Sequence, residues 1–193
     1  MFRAALVLTA LLCIPASSFA QAAPGSGGSI SAEADILSFA LPGYSGIVSL
    51  TLPSKLQVSV GMGRYEVPSF MLKADENYET AKWKATVTSI QVARVTYRFK
   101  GAMKSGPAIG AVVLNQNWRL RSDNLDGTTN FRTLSVGLTA GYYAHIGRHF
   151  YLLPVTAFTR NSVSGSSSVK GTAYKIERFA PNASLHAGWE WGR

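Results

Sequence analysis

The strict alternation of apolar and small polar residues constrains the fold of this chain more than any other feature. Three segments show it, residues 179–191, 133–146 and 56–63. The apolar positions of the middle segment are Leu134, Val136, Leu138, Ala140, Tyr142, Ala144 and Ile146. A period of two sustained over such lengths predicts β-strands whose two faces differ chemically.

The polar faces of these strands indicate which side meets water. They carry Gly, Ser, Thr and Asn, whereas a water-exposed sheet face would carry Lys and Glu. Small polar residues suit the lumen of an eight-stranded barrel, which is just wide enough for its own side chains. We therefore expect the apolar faces to point outward into lipid. A soluble barrel with its apolar face buried is the alternative.

Composition favours the same fold class. Charged residues make up 15% of the chain, against about 25% in ordinary soluble domains. A closed barrel satisfies every backbone polar group between neighbouring strands, so it tolerates lipid without long apolar helices. The sequence predicts one all-β domain, an antiparallel up-and-down transmembrane β-barrel of about eight strands.

The N-terminal residues predict export. A cationic start, an apolar run that contains the only cysteine, Cys13, and small residues before position 21 together predict a cleaved signal peptide over residues 1–20. Residues 21–28 are expected to form a flexible leader, and residues 29–193 the barrel.

The remaining segments predict the connections. Further strands are expected at residues 46–52, 84–99, 108–121 and 150–160, with a β-bulge near Ala93. Longer loops are expected at 68–83, 122–130 and 161–174, all at one end of the barrel. An eighth strand has to come from Ser29–Leu41, although Ala32–Leu41 also fits a short helix.

The chain resembles the small eight-stranded outer-membrane β-barrel proteins of the OmpA-barrel and OmpX type. The resemblance is one of pattern, and the last strand carries most of it. Proteins of this kind end in an alternating strand with a terminal aromatic residue, and this pattern is matched by Leu185, Ala187, Trp189 and Trp191. It implies a location in the outer membrane of a Gram-negative-type bacterium and contact with the barrel-assembly machinery. Here Gly192 and Arg193 follow the last aromatic residue, a departure from the pattern.

No catalytic, cofactor-binding or metal-binding residues are predicted. His145 and His149 lie on either side of an expected turn, without acidic or cysteine partners at ligand spacing. Ser184, His186 and Glu190 share one strand face, but about 20 Å separates the first from the last. We therefore expect a non-enzymatic barrel with an envelope-structural or surface-interaction role. The alternatives are a lipid A-modifying enzyme and a soluble periplasmic ligand-binding barrel.

Two sets of side chains are candidate sites. Five arginines at expected outer strand ends can pair with lipopolysaccharide phosphates, or instead with Asp123, Asp126 and Glu177; they are Arg119, Arg121, Arg132, Arg160 and Arg178. A polar network that plugs the lumen is expected from Asn115, Asn117, His186 and Glu190, and also from Arg94. A conducting pore is the alternative. Lipid, lipopolysaccharide and the assembly machinery are the expected partners of a monomer, and no nucleic acid is expected.

Overall fold

Ten strands make up most of the computed structural model, which describes residues 27–40 and 42–192. They are β1 (Ser29–Asp35), β2 (Gly43–Thr51), β3 (Leu56–Glu66), β4 (Trp83–Arg98), β5 (Gly106–Ser122), β6 (Gly127–Ile146), β7 (Phe150–Gly165), β8 (Ser168–Val169), β9 (Thr172–Ala173) and β10 (Phe179–Gly192). Within these ranges, three short helices span Ile36–Ala40, Ser69–Leu72 and Tyr78–Ala81. The expected signal peptide and most of the leader lie outside the described residues. No helix within the described ranges is long and apolar enough to cross a membrane.

Eight of the strands form a closed antiparallel barrel, as the alternation predicts. The order around the barrel is β1-β10-β7-β6-β5-β4-β3-β2, and β8 and β9 form a separate hairpin. The first and last strands close the barrel, with Ser29 opposite Gly192. The uncertain eighth strand is β1, and the helix Ile36–Ala40 follows it directly, so both interpretations of this segment hold in part.

The apolar strand faces point outward, as predicted. Leu138 and Met62 are 72% and 69% exposed on the outside of the wall. Polar residues at the alternate positions are buried inside the barrel, among them Ser49, Ser59, Thr133, Ser135 and Thr159. A soluble barrel has these faces reversed, so burial argues against that alternative.

The β-bulge lies at Thr88, and the predicted position near Ala93 is wrong. The register shifts between Val87 and Ser89, while Ala93 pairs regularly with Val113. The expectation treated the apolar residues just before Ala93 as outward-facing. Ile90 and Val92 are in fact half-buried, and they occupy the same inward-facing alternate positions as the buried Arg94. The alternation of inward and outward residues therefore does not change at Ala93.

The expected loop at residues 122–130 is also wrong. β5 runs to Ser122 and β6 begins at Gly127, which leaves a four-residue turn. About 9–11 residues suffice for a strand to cross a membrane, whereas β6 has 20. The outer parts of β5 and β6 are polar on their outward face, so hydropathy does not reveal that the strands continue.

Candidate functional site

Two buried carboxylates organise the lumen. Glu33 on β1 is fully buried and pairs with Nη2 of Arg94 on β4. The hydroxyl of Tyr151 donates to Oε2 of Glu33 at 2.9 Å. Nδ1 of His186 lies 3.6 Å from Oε1 of the same carboxylate. The cluster joins the consecutive strands β1, β10 and β7 to β4 in another part of the wall, and so spans the lumen.

Glu190 on β10 is the second buried carboxylate. Nη1 and Nη2 of Arg98 donate to its two oxygens at 2.7 and 3.1 Å, a bidentate arrangement that suits guanidinium and carboxylate geometry. Nε2 of His145 lies 2.8 Å from Oε2, and the Ser29 hydroxyl donates to Oε1. These contacts cross the lumen beside the strand ends where the barrel closes.

Aromatic residues pack beside the ion pairs. The Arg98 guanidinium lies 3.9 Å from the centroid of the Tyr143 ring, a cation–π contact. The Tyr143 hydroxyl donates to Oε1 of Gln57 at 2.5 Å. Gly188 permits the neighbouring Tyr151 ring to lie against the β10 backbone, because a Cβ at this glycine would collide with that ring.

Charged side chains that are buried in the lumen have to be paired. An isolated charge in the interior costs several kcal/mol, whereas a paired and hydrogen-bonded one is tolerated. A cavity lined by Arg94, Thr96 and Tyr143, among other residues, has a volume of about 10 Å³, roughly that of one water molecule. Side chains therefore fill the lumen at this level.

The opposite end of the lumen is apolar. Trp83, Leu120 and Phe131 point inward from β4, β5 and β6, and Leu72 and Val169 from the loops pack on them. The loop carrying Leu72 is held to the loop before β10 by Asp75. Its Oδ1 accepts from Nε1 of Trp83 at 3.1 Å, and its Oδ2 accepts from the backbone N–H of Lys175 at 2.8 Å. An apolar cap thus covers this mouth.

The residues of the predicted lumen network lie on both faces of the barrel wall. His186 and Glu190 are buried inside the barrel, but Asn115 and Asn117 lie on the outward face of β5. They share this face with the exposed Val113, while Gln116 between them is buried. Their placement inside the lumen was wrong because it followed polarity and not the alternation along β5.

The remaining lumen residues had weak sequence signals. Glu33 stands at an alternate position of a short strand whose assignment was uncertain, and Arg98 lies at the last residue of β4. Their partners are distant in sequence, 61 residues for Glu33–Arg94 and 92 for Arg98–Glu190. Only the barrel register identifies such pairs. A lone acidic residue within an alternating strand was the available signal for Glu33.

The five predicted arginines are all exposed and lie in the half of the barrel that carries the cap. Of their possible acidic partners in the described ranges, only Asp123 contacts one of these arginines, with its Oδ1 3.5 Å from Nε of Arg121. Glu177 pairs instead with Lys175 at 3.3 Å. A hydrogen bond from Lys84, assisted by Arg121, holds the pKa of Asp123 below its usual value. Within the described ranges, the other four arginines have no carboxylate within 4.0 Å: Arg119, Arg132, Arg160 and Arg178.

The serine, histidine and glutamate considered as a possible catalytic set do not contact one another. Ser184, His186 and Glu190 lie on the inward face of β10, but His186 faces Glu33, and Glu190 is engaged by Arg98. No group of three or more potential metal ligands occurs among the residues that the structure describes. The outward face of β10 carries the residues of the predicted assembly signal, Leu185, Ala187, Trp189 and Trp191.

Comparison with known proteins shows the fold. No protein-family model and no curated protein matches the sequence. The structure is similar to the N-terminal β-barrel domain of Pseudomonas aeruginosa OprF, with a TM-score of 0.51 and 14% identity over 85% of this chain and 96% of that one. Neisserial surface protein A has a TM-score of 0.47 and 15% identity, covering 87% and 98% of the two chains. This chain therefore has the closed eight-stranded fold of small outer-membrane β-barrel proteins.

Proposed function

We propose that the chain is a non-enzymatic outer-membrane barrel with an envelope-structural role. The filled lumen is the observation that carries this proposal. Paired charges occupy the middle and one end, and an apolar cap covers the other. The exposed apolar wall supports a location in lipid, because only closed barrels and helices satisfy their backbone there.

The orientation follows from the connections. The start of β1, the end of β10 and three short connections, at residues 52–55, 99–105 and 147–149, share one end of the barrel. The capped end carries the folded segments at 67–82 and 166–178. In outer-membrane barrels short turns face the periplasm and longer loops face outward, so the cap and the five arginines lie on the cell surface.

The exposed arginines indicate which binding partner suits this surface. Lipopolysaccharide presents phosphates at the level where the apolar wall ends, and guanidinium groups bind phosphate with charge-assisted hydrogen bonds. Four of the five have no acidic partner among the described residues. We therefore infer that this arginine belt contacts lipopolysaccharide and helps to anchor the barrel in the outer leaflet.

At the periplasmic end, β10 supports contact with the assembly machinery. It carries the outward-facing Trp189 and Trp191 and closes the barrel against β1. A strand of this kind is a suitable recognition element, because its edge that faces β1 stays unpaired until the barrel closes.

Single-channel recording tests the structural role against the pore alternative. Purified protein is reconstituted into planar bilayers, and a porin in the same preparation serves as the positive control. A filled lumen predicts no lasting conductance above the baseline of the bilayer. Stable, ohmic conductance steps that recur in independent preparations of the protein would contradict the proposal.

Lipid A analysis tests the enzyme alternative. The structure does not assemble Ser184, His186 and Glu190 into a catalytic arrangement, so the acyl pattern of lipid A should not depend on the gene. Mass spectrometry of lipid A from cells with and without the gene provides the comparison. A changed acyl pattern that the wild-type gene restores would refute the non-enzymatic role.

A further inference from the structure

A shallow polar pocket of about 430 Å³ lies on the outer wall, where the apolar surface ends. Six residues with polar side chains contribute to its lining: Thr88, Asn117, Arg119, Asn130, Arg132 and Ser164. Leu134 and Val113 stand exposed on the adjoining wall. Leu134 follows Arg132 by two residues, so the pocket begins about 7 Å beyond the apolar surface.

The strand register places arginine and asparagine side chains in an alternating array. Asn117 on β5 is opposite Arg132 on β6, and Arg119 is opposite Asn130. Directly opposite residues in an antiparallel pair have Cβ atoms about 5 Å apart. Two guanidinium and two amide groups therefore share one small area of the outward face.

Neighbouring residues fix parts of this array. Nε of Arg132 donates to Oδ1 of Asn115, and Nδ2 of Asn115 donates to Oε1 of Gln91 at 2.8 Å. These hydrogen bonds engage only Nε of Arg132 and leave its two terminal nitrogens available for another acceptor. At the bulge, the Thr88 hydroxyl donates to the backbone oxygen of Asn117 at 3.1 Å, which ties β4 to the edge of the pocket.

The charge of the pocket is unbalanced. No Asp or Glu lines it, and neither Arg119 nor Arg132 has a carboxylate within 4.0 Å in the described part of the chain. Asp123, in the turn that joins β5 to β6, is engaged with Lys84 and Arg121. Two nearby cations repel each other, and an anion bound between them removes this cost.

We propose that this pocket binds the phosphate group of a glycolipid in the outer leaflet. Arg119 and Arg132 hold the phosphate, since guanidinium groups match its oxygens with paired hydrogen bonds. Asn117 and Asn130 bind the hydroxyl groups of the sugar, because an amide can both donate hydrogen bonds to them and accept hydrogen bonds from them. The inference rests on the outer-membrane location proposed above, and it assigns one specific site within the arginine belt.

Binding to defined lipids tests the pocket. The protein is reconstituted in phosphatidylcholine nanodiscs, and affinity is measured for bisphosphorylated lipid A, its dephosphorylated form and soluble glucosamine phosphate. The test variant is R119Q/R132Q. The comparison variant is R160Q/R178Q, which removes the same charge from arginines that belong to the belt but lie outside the pocket.

The pocket predicts that R119Q/R132Q weakens binding of bisphosphorylated lipid A by about tenfold or more. R160Q/R178Q should weaken it much less, because these arginines contribute only the general contact of the belt. Removal of the phosphates from lipid A should weaken its binding to the wild-type protein by a similar factor. Equal losses in both double variants would overturn the pocket while leaving the general arginine contact intact. No loss in either variant would refute both.

The soluble ligand identifies the source of the phosphate. Glucosamine phosphate should bind far more weakly than lipid A, because the membrane holds the lipid headgroup beside the pocket. Equally tight binding of the soluble compound would overturn the assignment to a glycolipid. Binding of lipid A that does not depend on its phosphates would overturn the assignment to a phosphate group.

Discussion

The two ends of the lumen are closed by different interactions. The half beside the short connections is filled by the ion pairs Glu33–Arg94 and Glu190–Arg98. The opposite mouth is closed by an apolar cluster around Trp83, on which the loops pack. Ion pairs fix a specific register across the barrel, whereas apolar packing depends on volume and tolerates substitution more readily. The first end is expected to be sensitive to the loss of single charges, and the second to the loss of volume.

Removal of one buried charge should have the largest effect. Glu190→Leu leaves Arg98 buried without its carboxylate, a loss of about 3–5 kcal/mol in the free energy of unfolding. The double variant E190L/R98L should recover most of it, because no unpaired charge remains. Urea unfolding in lipid vesicles measures both. If the losses of the two single variants simply add in the double variant, the ion pair does not stabilise this end.

Loss of volume in the cap should come next. Trp83→Ala removes a fully buried ring from the apolar cluster, and a cost of about 3 kcal/mol is expected. Trp83→Phe should cost much less, since it keeps most of the apolar volume. The same unfolding measurement applies. Equal losses in the two variants would show that the indole hydrogen bond to Asp75, and not packing, holds the cap.

A smaller, local effect is expected at the contact between the outer loops. Asp75→Ala removes acceptors for the Trp83 indole and for the backbone N–H groups of Asn77 and Lys175. Hydrogen exchange at these two amides should accelerate by about tenfold or more, with little change in the barrel strands. Acceleration spread through β4 would mean that the loops and the wall open together.

The smallest effect is expected at the exposed ion pair of the outer end. The hydrogen bond from Lys84 lowers the pKa of Asp123, so this contact stabilises the protein above the ordinary pKa of an aspartate and is lost as the pH falls through the lowered value. Lys84→Gln should raise the pKa toward its ordinary range, as carboxyl NMR would show. Because the group is exposed, stability should barely change. An unchanged pKa would assign the shift to Arg121.

The sequence predicted the wall better than what fills it. Clear alternation identified three strands and the outward direction of residues such as Val136 and Leu138, because burial of one face imposes a period of two. Weaker patterns located four more strands. Alternation missed the continuation of β6 to Gly127, where the outward face meets water and hydropathy no longer distinguishes the faces. The ion pairs depend on register across the barrel, and no local pattern encodes register.

The four tryptophans of residues 21–193 allow the most direct test of the outward orientation. Trp189 and Trp191 lie outward on the wall, 45% and 39% exposed, while Trp83 is buried in the cap. Fluorescence is compared for two variants in vesicles of lipid brominated near the headgroup. In W83F/W118F, which retains the outward pair, bromine should quench strongly. In W189F/W191F, which retains the inward pair, it should quench little. Equal quenching in both variants, or stronger quenching of the inward pair, would contradict a barrel whose apolar face contacts lipid.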